Sequence, residues 1–139
     1  MTDWKEFNKA IVKEFRANEG RVGGRYAGAP MLVLHTTGAR SGEERVHPLV
    51  YQPVGDDLAI FASKAGAPTN PDWYHNLVAN PQATVEVGTE TLPVTARVAE
   101  GREREDIWTR QKQLMPGFAD YEARSGGRQI PVVILQRAS

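Results

Sequence analysis

The chain has 139 residues, 40% of them hydrophobic and 24% charged, with 17 Lys and Arg against 17 Asp and Glu and no cysteine. That length suits one domain (1–139) with a substantial core, and the balanced, interleaved charge gives no basic field of the kind nucleic acid needs. Without cysteine there are no disulfides, thiolate nucleophiles or cysteine metal sites, and no apolar run is long enough to span a bilayer, so a cytoplasmic protein is expected.

Asp3 can cap a first helix, with Glu6 three residues on, and Trp4, Phe7, Ile11 and Phe15 recur on one face until Gly20 stops it. This stripe is expected to pack on a core. Lys5, Lys9, Lys13 and Arg16 face elsewhere, but Glu6 and Glu14 dilute the basic face, so peripheral membrane contact is the lesser alternative. Residues 20–28 are glycine-rich and aperiodic, a loop in which Arg21 and Arg25 read first as solvated. The apolar run 31–34 then leads into HTTGARSGEERVHPLVY (35–51), which reads as strand, charged glycine turn, strand. Gly38 and Gly42 can take positive φ at no steric cost, which lets successive N–H groups point into one concavity beside Arg40 and Arg45, a candidate phosphate cradle.

Gly55, Asp56 and Asp57 form a hairpin turn into a third strand at 58–63, and Pro48 and Pro53 place the second strand at an edge or give it a bulge. After the loop SKAGAPTNPDWY, Asn70 as cap and Pro71 as first residue start a short helix bearing Trp73, Tyr74, Leu77 and Val78, which Asn80 and Pro81 end. Residues 83–87 and 91–98 alternate around Gly88 and Thr89, a second hairpin. A helix from about Glu100 carries Ile107, Gln111 and Leu114 on one side and closes at Pro116 and Gly117. A short aromatic segment (118–124), a turn at Ser125, Gly126 and Gly127, and a buried strand at 130–135 complete the chain. The expected class is mainly β: a small, partly open antiparallel barrel of about six strands, with an N-terminal helix (1–20) and helices inserted within 29–139.

A dinucleotide fingerprint or a P-loop needs a helix opening after the glycines, whereas here Glu43, Glu44, Arg45, Val46, His47 and Pro48 follow. What remains is an anion site on a hairpin, with Arg40, Ser41 and Arg45 joined by Lys64. One such turn alone reads as a solvated surface. The recurrence of donors at Ser63, Lys64, Gly66 and the helix start at Asn70 and Pro71 favours a site. His35, His47 and His75 lack metal-ligand spacing and read as structural, with no metal expected. Ser63 is in no nucleophile elbow, which argues against a hydrolase, and Trp73 and Tyr74, adjacent on one helix, divide between core and site wall.

Taken together, HTTGARSGEERVHPLVY, ASKAGAPTNPDWYHNLVANP and MPGFADYEARSGGRQIPVVIL, in that order, resemble the deazaflavin-dependent nitroreductase family, whose members are F420H2-dependent quinone reductases and nitroreductases. The resemblance runs from about Ala29 to the carboxyl terminus and implies a split β-barrel that binds the deazaflavin coenzyme F420. It implies that the GARSG turn and Lys64 hold the phosphate and acidic tail. The lining would be Ala39, Arg40, Ser41, Arg45, Val46, His47, Pro48, Leu49 and Val50, then Phe61, Ala62, Ser63 and Lys64, then Asp72, Trp73, Tyr74, His75, Asn76 and Phe118. Hydride transfer to a quinone-like or nitro acceptor is implied, with Ser63 first, and Tyr121 and Tyr74 behind it, as the groups that orient the acceptor. Nitroimidazole-activating members carry several tyrosines where this chain has Met115, Phe118 and Tyr121, so weak or absent nitroimidazole reduction is expected. An FMN- or haem-using split barrel, an F420-storage protein and a plain structural module are the alternatives, and either a monomer or a homodimer is compatible.

Overall fold

The apolar alternation of the strands builds a barrel. The computed structural model describes residues 4–20, 30–63, 70–124, 126 and 129–137, with side chains in the first helix from Asn8 on. The described elements are, in order, α1 (Trp4–Ala17), β1 (Met31–Thr37), β2 (Glu44–Val54), β3 (Asp57–Phe61), α2 (Asp72–Ala79), β4 (Gln82–Val87), β5 (Glu90–Val98), α3 (Gly101–Leu114), α4 (Gly117–Arg124) and β6 (Val132–Arg137). The sheet runs β1-β2-β3-β6-β5-β4, antiparallel throughout, and closes through β1 and β4. The pattern had suggested a partly open barrel. Closure is short, from Val33↔Glu86 to His35↔Thr84, and it removes the exposed edge that β1 and β4 would otherwise present.

Alternation assigns the two faces. Leu32, Leu34, Leu58, Ile60, Val85, Val94, Val133 and Leu135 meet inside the barrel with Trp73 and Leu77 of α2. Met31 and Val33 face outward and are covered by Ile11, Val12 and Phe15 of α1, so the described part of the first helix packs on the core as expected. Ala59, Phe61, Val132 and Ile134, also facing outward, are covered by Ile107 and Trp108 of α3 and Phe118 of α4. Phe61 lies 5.9 Å from Trp108 and 5.6 Å from Phe118, ring centroid to centroid; such aromatic pairs add about 0.5–1.5 kcal/mol beyond area burial.

Three local readings shift. Pro71, at φ −70 and ψ 157, is itself the N-cap of α2 rather than its first helical residue, and Asp72 opens the helix. A proline accepts that extended cap conformation while Asp72 supplies negative charge to the first turn. The buried stripe of α3 is Arg104, Ile107, Trp108 and Gln111, while Leu114 lies off it at the helix end, 57% exposed. The 118–124 segment forms a helix, α4. Asp3, Arg21, Arg25, Lys64, Gly66, Ser125 and Gly127 lie outside the described residues.

One polar cluster ties α1 to the barrel seam. Arg16 donates to both oxygens of Glu86 (3.0 and 2.7 Å), and His35 Nε2 stands 2.6 Å from the same carboxylate. The Arg16 hydrogen bonds, aided by His35 and opposed by burial, hold the Glu86 carboxyl at about 2, below its ordinary 4.5. A depressed carboxylate stabilises the fold fully above pH 4.5 and loses that contribution as pH falls toward 2. Glu86→Gln is therefore expected to cost about 1–2 kcal/mol at neutral pH in urea unfolding, with the difference from the parent closing at acid pH. A pH-independent difference would mean that the cluster acts by packing rather than by charge.

Candidate functional site

The β1–β2 turn and the α2 helix meet in space, and one side chain joins them. Asn76, 7% exposed, accepts the Ala39 N–H at Oδ1 (3.0 Å) and donates from Nδ2 to Thr36 Oγ1 (3.2 Å). Thr36 faces inward because β1 alternates Leu32, Leu34, Thr36, and its hydroxyl is the polar end of that inner row. The sequence carried the sign: a short polar residue at an otherwise apolar inward position, with an asparagine in the helix stacked above.

The turn itself is tighter than a cradle of free amides. Gly38 donates to Glu43 O (2.8 Å), Gly42 to Gly38 O (3.0 Å), Ala39 to Asn76, and Glu43 to Ser41 Oγ (3.2 Å). Among the described residues only the N–H groups of Arg40 and Ser41 in this turn lack a partner. Gly42 takes a positive φ, +72. Gly38 does not; it is there for close packing, since a Cβ on it would lie 2.6 Å from Ser41 Oγ and 3.3 Å from Glu43 O. The Arg40 side chain has no ion-pair partner among the described residues, and Arg45 pairs with Glu43 at 3.4 Å on an exposed surface, where such a pair exchanges easily. A neighbouring cleft of about 320 Å³, with His35, Thr36, Thr37, Gly42 and Glu44 on one wall and Gln82 and Thr84 on the other, has no arginine or lysine among its described lining residues, and its His35 is already engaged by Glu86.

β2 changes partners midway. Glu44–Val50 pairs with β1 and Tyr51–Val54 with β3, so each half has one ladder neighbour among the described residues. Tyr51 donates its N–H to Pro30 O, and by alternation the backbone groups of Val46 and Pro48 point to the opposite edge, which β3 does not reach. Pro48 thus lacks an N–H where no ladder bond is needed, and Pro53 likewise points away from β3, which accounts for both prolines in the strand. β3 ends at Phe61, and Ser63 lies two residues beyond it.

On the inner side, His47 pairs in register with Leu34 and its Nδ1 is buried with no hydrogen-bond partner among the described residues. Burial, opposed by nearby Asp72 and assisted by Arg45, lowers the His47 imidazole, so it is neutral at physiological pH. At the outer side, Val50, Met115 and Tyr121 pack on the Phe61, Trp108 and Phe118 cluster, so β2 and the α3–α4 joint border one apolar cluster.

Residues 7–137 match the model of the F420H(2)-dependent quinone reductase family. The chain belongs to that family. An F420H(2)-dependent quinone reductase of Mycobacterium tuberculosis is 40% identical over 127 residues, which cover 88% of this chain and 85% of that protein. A solved F420-H2 dependent reductase superposes with a TM-score of 0.71 at 39% identity, covering 82% of this chain and all 100% of its own. A second solved structure, described as a domain-swapped dimer, gives a TM-score of 0.72 at 37% identity, covering 96% and 98%.

The family's split barrel places the remaining residues singled out from sequence. Ala39, Arg40, Ser41 and Arg45 gather at the turn; Val46, Pro48 and Val50 follow on the outer side of β2, while His47 and Leu49 face inward. Phe61 and Ala62 are buried on opposite faces of the barrel wall, so they set the position of Ser63 from below. Asp72 and His75 are exposed on α2, and Trp73 is sealed in the barrel core at 4% exposure. Tyr74 stands apart from the rest. It lies on the flank of α2 away from Asn76, in a cleft of about 210 Å³ lined with Leu77, Val78, Pro81 and Val98. Phe118 is buried at 6% exposure, whereas Tyr121, 5.2 Å from it, reaches the rim of the same cluster. Among the described residues, N–H groups without a partner beside an arginine with no ion pair, a β2 edge with no second ladder neighbour and a buried imidazole nitrogen with no hydrogen bond fit a flat cofactor that has hydrogen-bonding ring edges and an anionic tail.

Proposed function

We propose that this family member reduces quinones with F420H2, holding the deazaflavin along the free edge of β2 and the anionic tail at the 38–43 turn. The observation that carries this is the β2 edge over Glu44–Val50, which has one ladder neighbour among the described residues, ends at a turn whose Arg40 and Ser41 N–H groups have no partner among them, and is joined to α2 by Asn76. Bound F420H2 supplies a hydride from C5, which with one proton converts a quinone to a hydroquinone. Arg40, the N–H groups of Arg40 and Ser41, Arg45 released from Glu43, and Lys64 offset the phosphodiester and carboxylates of the tail. The backbone of Val46 and Pro48 offers hydrogen bonds to the ring edge, and His47 and Leu49 support the strand from within. Ser63 orients the acceptor oxygen that gains charge, with Tyr121 behind it. Asp72, Trp73 and His75 act through the placement of α2. Met115 and Phe118 bring no hydroxyl to the acceptor wall, so a bicyclic nitroimidazole is a poor substrate.

Anaerobic titration with F420 and FMN, followed by tryptophan fluorescence, and then oxidation of F420H2 by menadione test this reading. F420 is expected to bind in preference to FMN and F420H2 to be consumed with the quinone. Preferred FMN binding would sink the cofactor assignment, and F420 binding without turnover would make the chain a storage protein. The domain-swapped relative supports a homodimer, and light scattering on the same sample should return twice the chain mass. No helix among the described residues is long and apolar enough to cross a membrane.

A further inference from the structure

Two buried amides lie where an apolar pair would serve a core as well. Gln52, on the outward face of β2, is 2% exposed, and Gln111, on α3, is 1% exposed. Gln52 Nε2 donates to Ile107 O (3.1 Å) and Gln111 Oε1 (3.2 Å), and Gln111 Nε2 donates to Met115 Sδ (3.5 Å). Replacing both members of a buried hydrogen-bonded pair by apolar groups of like shape is nearly neutral, so such a pair contributes direction more than cohesion. Where the relay ends gives that direction a use. Met115 is the joint between two helices: its N–H donates to Gln111 O (2.8 Å) and its carbonyl accepts the Phe118 N–H (3.0 Å). The relay therefore starts two residues past Val50 and stops on the residue that launches α4.

We propose that Gln52 and Gln111 are positioning residues that fix the gap between β2 and the α3–α4 joint, and thereby set which flat quinones fit. This rests on the reading that β2 carries the deazaflavin and α4 borders the acceptor. With the relay removed, the joint can slide along the sheet, so acceptor fit is degraded before the chemistry of a correctly bound acceptor.

Gln52→Leu/Gln111→Leu leaves no orphaned amide; it should melt near the parent temperature and bind F420 as the parent does. Its KM for menadione is expected to rise about tenfold with kcat within about threefold, and its preference for menadione over benzoquinone to narrow by a similar factor. An unchanged KM and an unchanged preference overturn the proposal. Gln52→Leu alone cuts the relay at its β2 end and changes no residue of the acceptor wall, and should raise KM about threefold in the same direction. It decides the question if the double variant does not fold, and an unchanged KM there overturns the proposal equally. A parent protein that binds F420 yet leaves menadione untouched fails the proposed function and takes this inference with it, a result distinct from an active parent with indifferent variants.

Discussion

Asn76→Leu is expected to weaken F420 binding about ten- to hundredfold while costing about 1–3 kcal/mol of stability, because the buried Thr36 hydroxyl and the Ala39 N–H lose a shared partner. The two effects have one origin but separate readouts, fluorescence titration for binding and urea unfolding for the fold. Asn76→Asp tells them apart. A carboxylate still accepts from Ala39 and can accept from the Thr36 hydroxyl, so the fold should stay close to the parent. It also aims a negative charge at the turn proposed to receive the phosphodiester, so affinity should fall as far as in the leucine variant and recover partly as salt is raised. If the aspartate variant binds F420 like the parent at low salt, the turn is not the anion site, whatever its shape.

That turn also shows what the sequence could and could not disclose. The hairpin, its arginines and the two prolines were legible because each follows from a local rule: glycines punctuate, alternation sets faces, and a missing N–H tolerates only a free edge. The use of the amides was not. Whether Gly38, Ala39, Gly42 and Glu43 point their N–H groups at a ligand or at their own turn depends on how the loop folds back and on Asn76 arriving from a helix 37 residues away in sequence. Gly38 looked like a positive-φ residue and is instead a contact residue, a distinction set by Ser41 Oγ and Glu43 O. The same limit applies to α3, where an apolar count selected Leu114 and missed Arg104. Arg104 is buried because its guanidinium donates to Ile130 O at 2.7 Å and lies 5.3 Å from the Trp108 ring centroid, partners that only the folded chain brings together. Tyr74 illustrates a third cause. Helical spacing showed that Trp73 and Tyr74 diverge, but not which flank of α2 faces the turn, and it is the Asn76 flank that does.

Those placements rank the hydroxyls near the acceptor. Ser63, two residues past the end of β3, is the proposed donor to the acceptor oxygen, so Ser63→Ala is expected to lower kcat/KM for menadione about ten- to a hundredfold, as loss of a donor to a developing oxyanion does. Tyr121→Phe keeps the ring that packs on Phe118 and removes one hydroxyl at the rim, an effect of about two- to tenfold. Tyr74→Phe should have the smallest effect of the three, since its ring lines a different cleft. F420 affinity should hold in both tyrosine variants, since Tyr121 lies at the rim of the Phe118 cluster and Tyr74 in a different cleft. The order is the test, read by anaerobic steady-state kinetics with F420H2 and a series of quinones. A Ser63→Ala enzyme with the parent's rate and acceptor preference would make Ser63 a structural residue at the strand end. Should Tyr74→Phe instead prove the most damaging, the acceptor would have to sit in the cleft between α2 and β5, on the far flank of the helix, and the free edge of β2 would need another occupant.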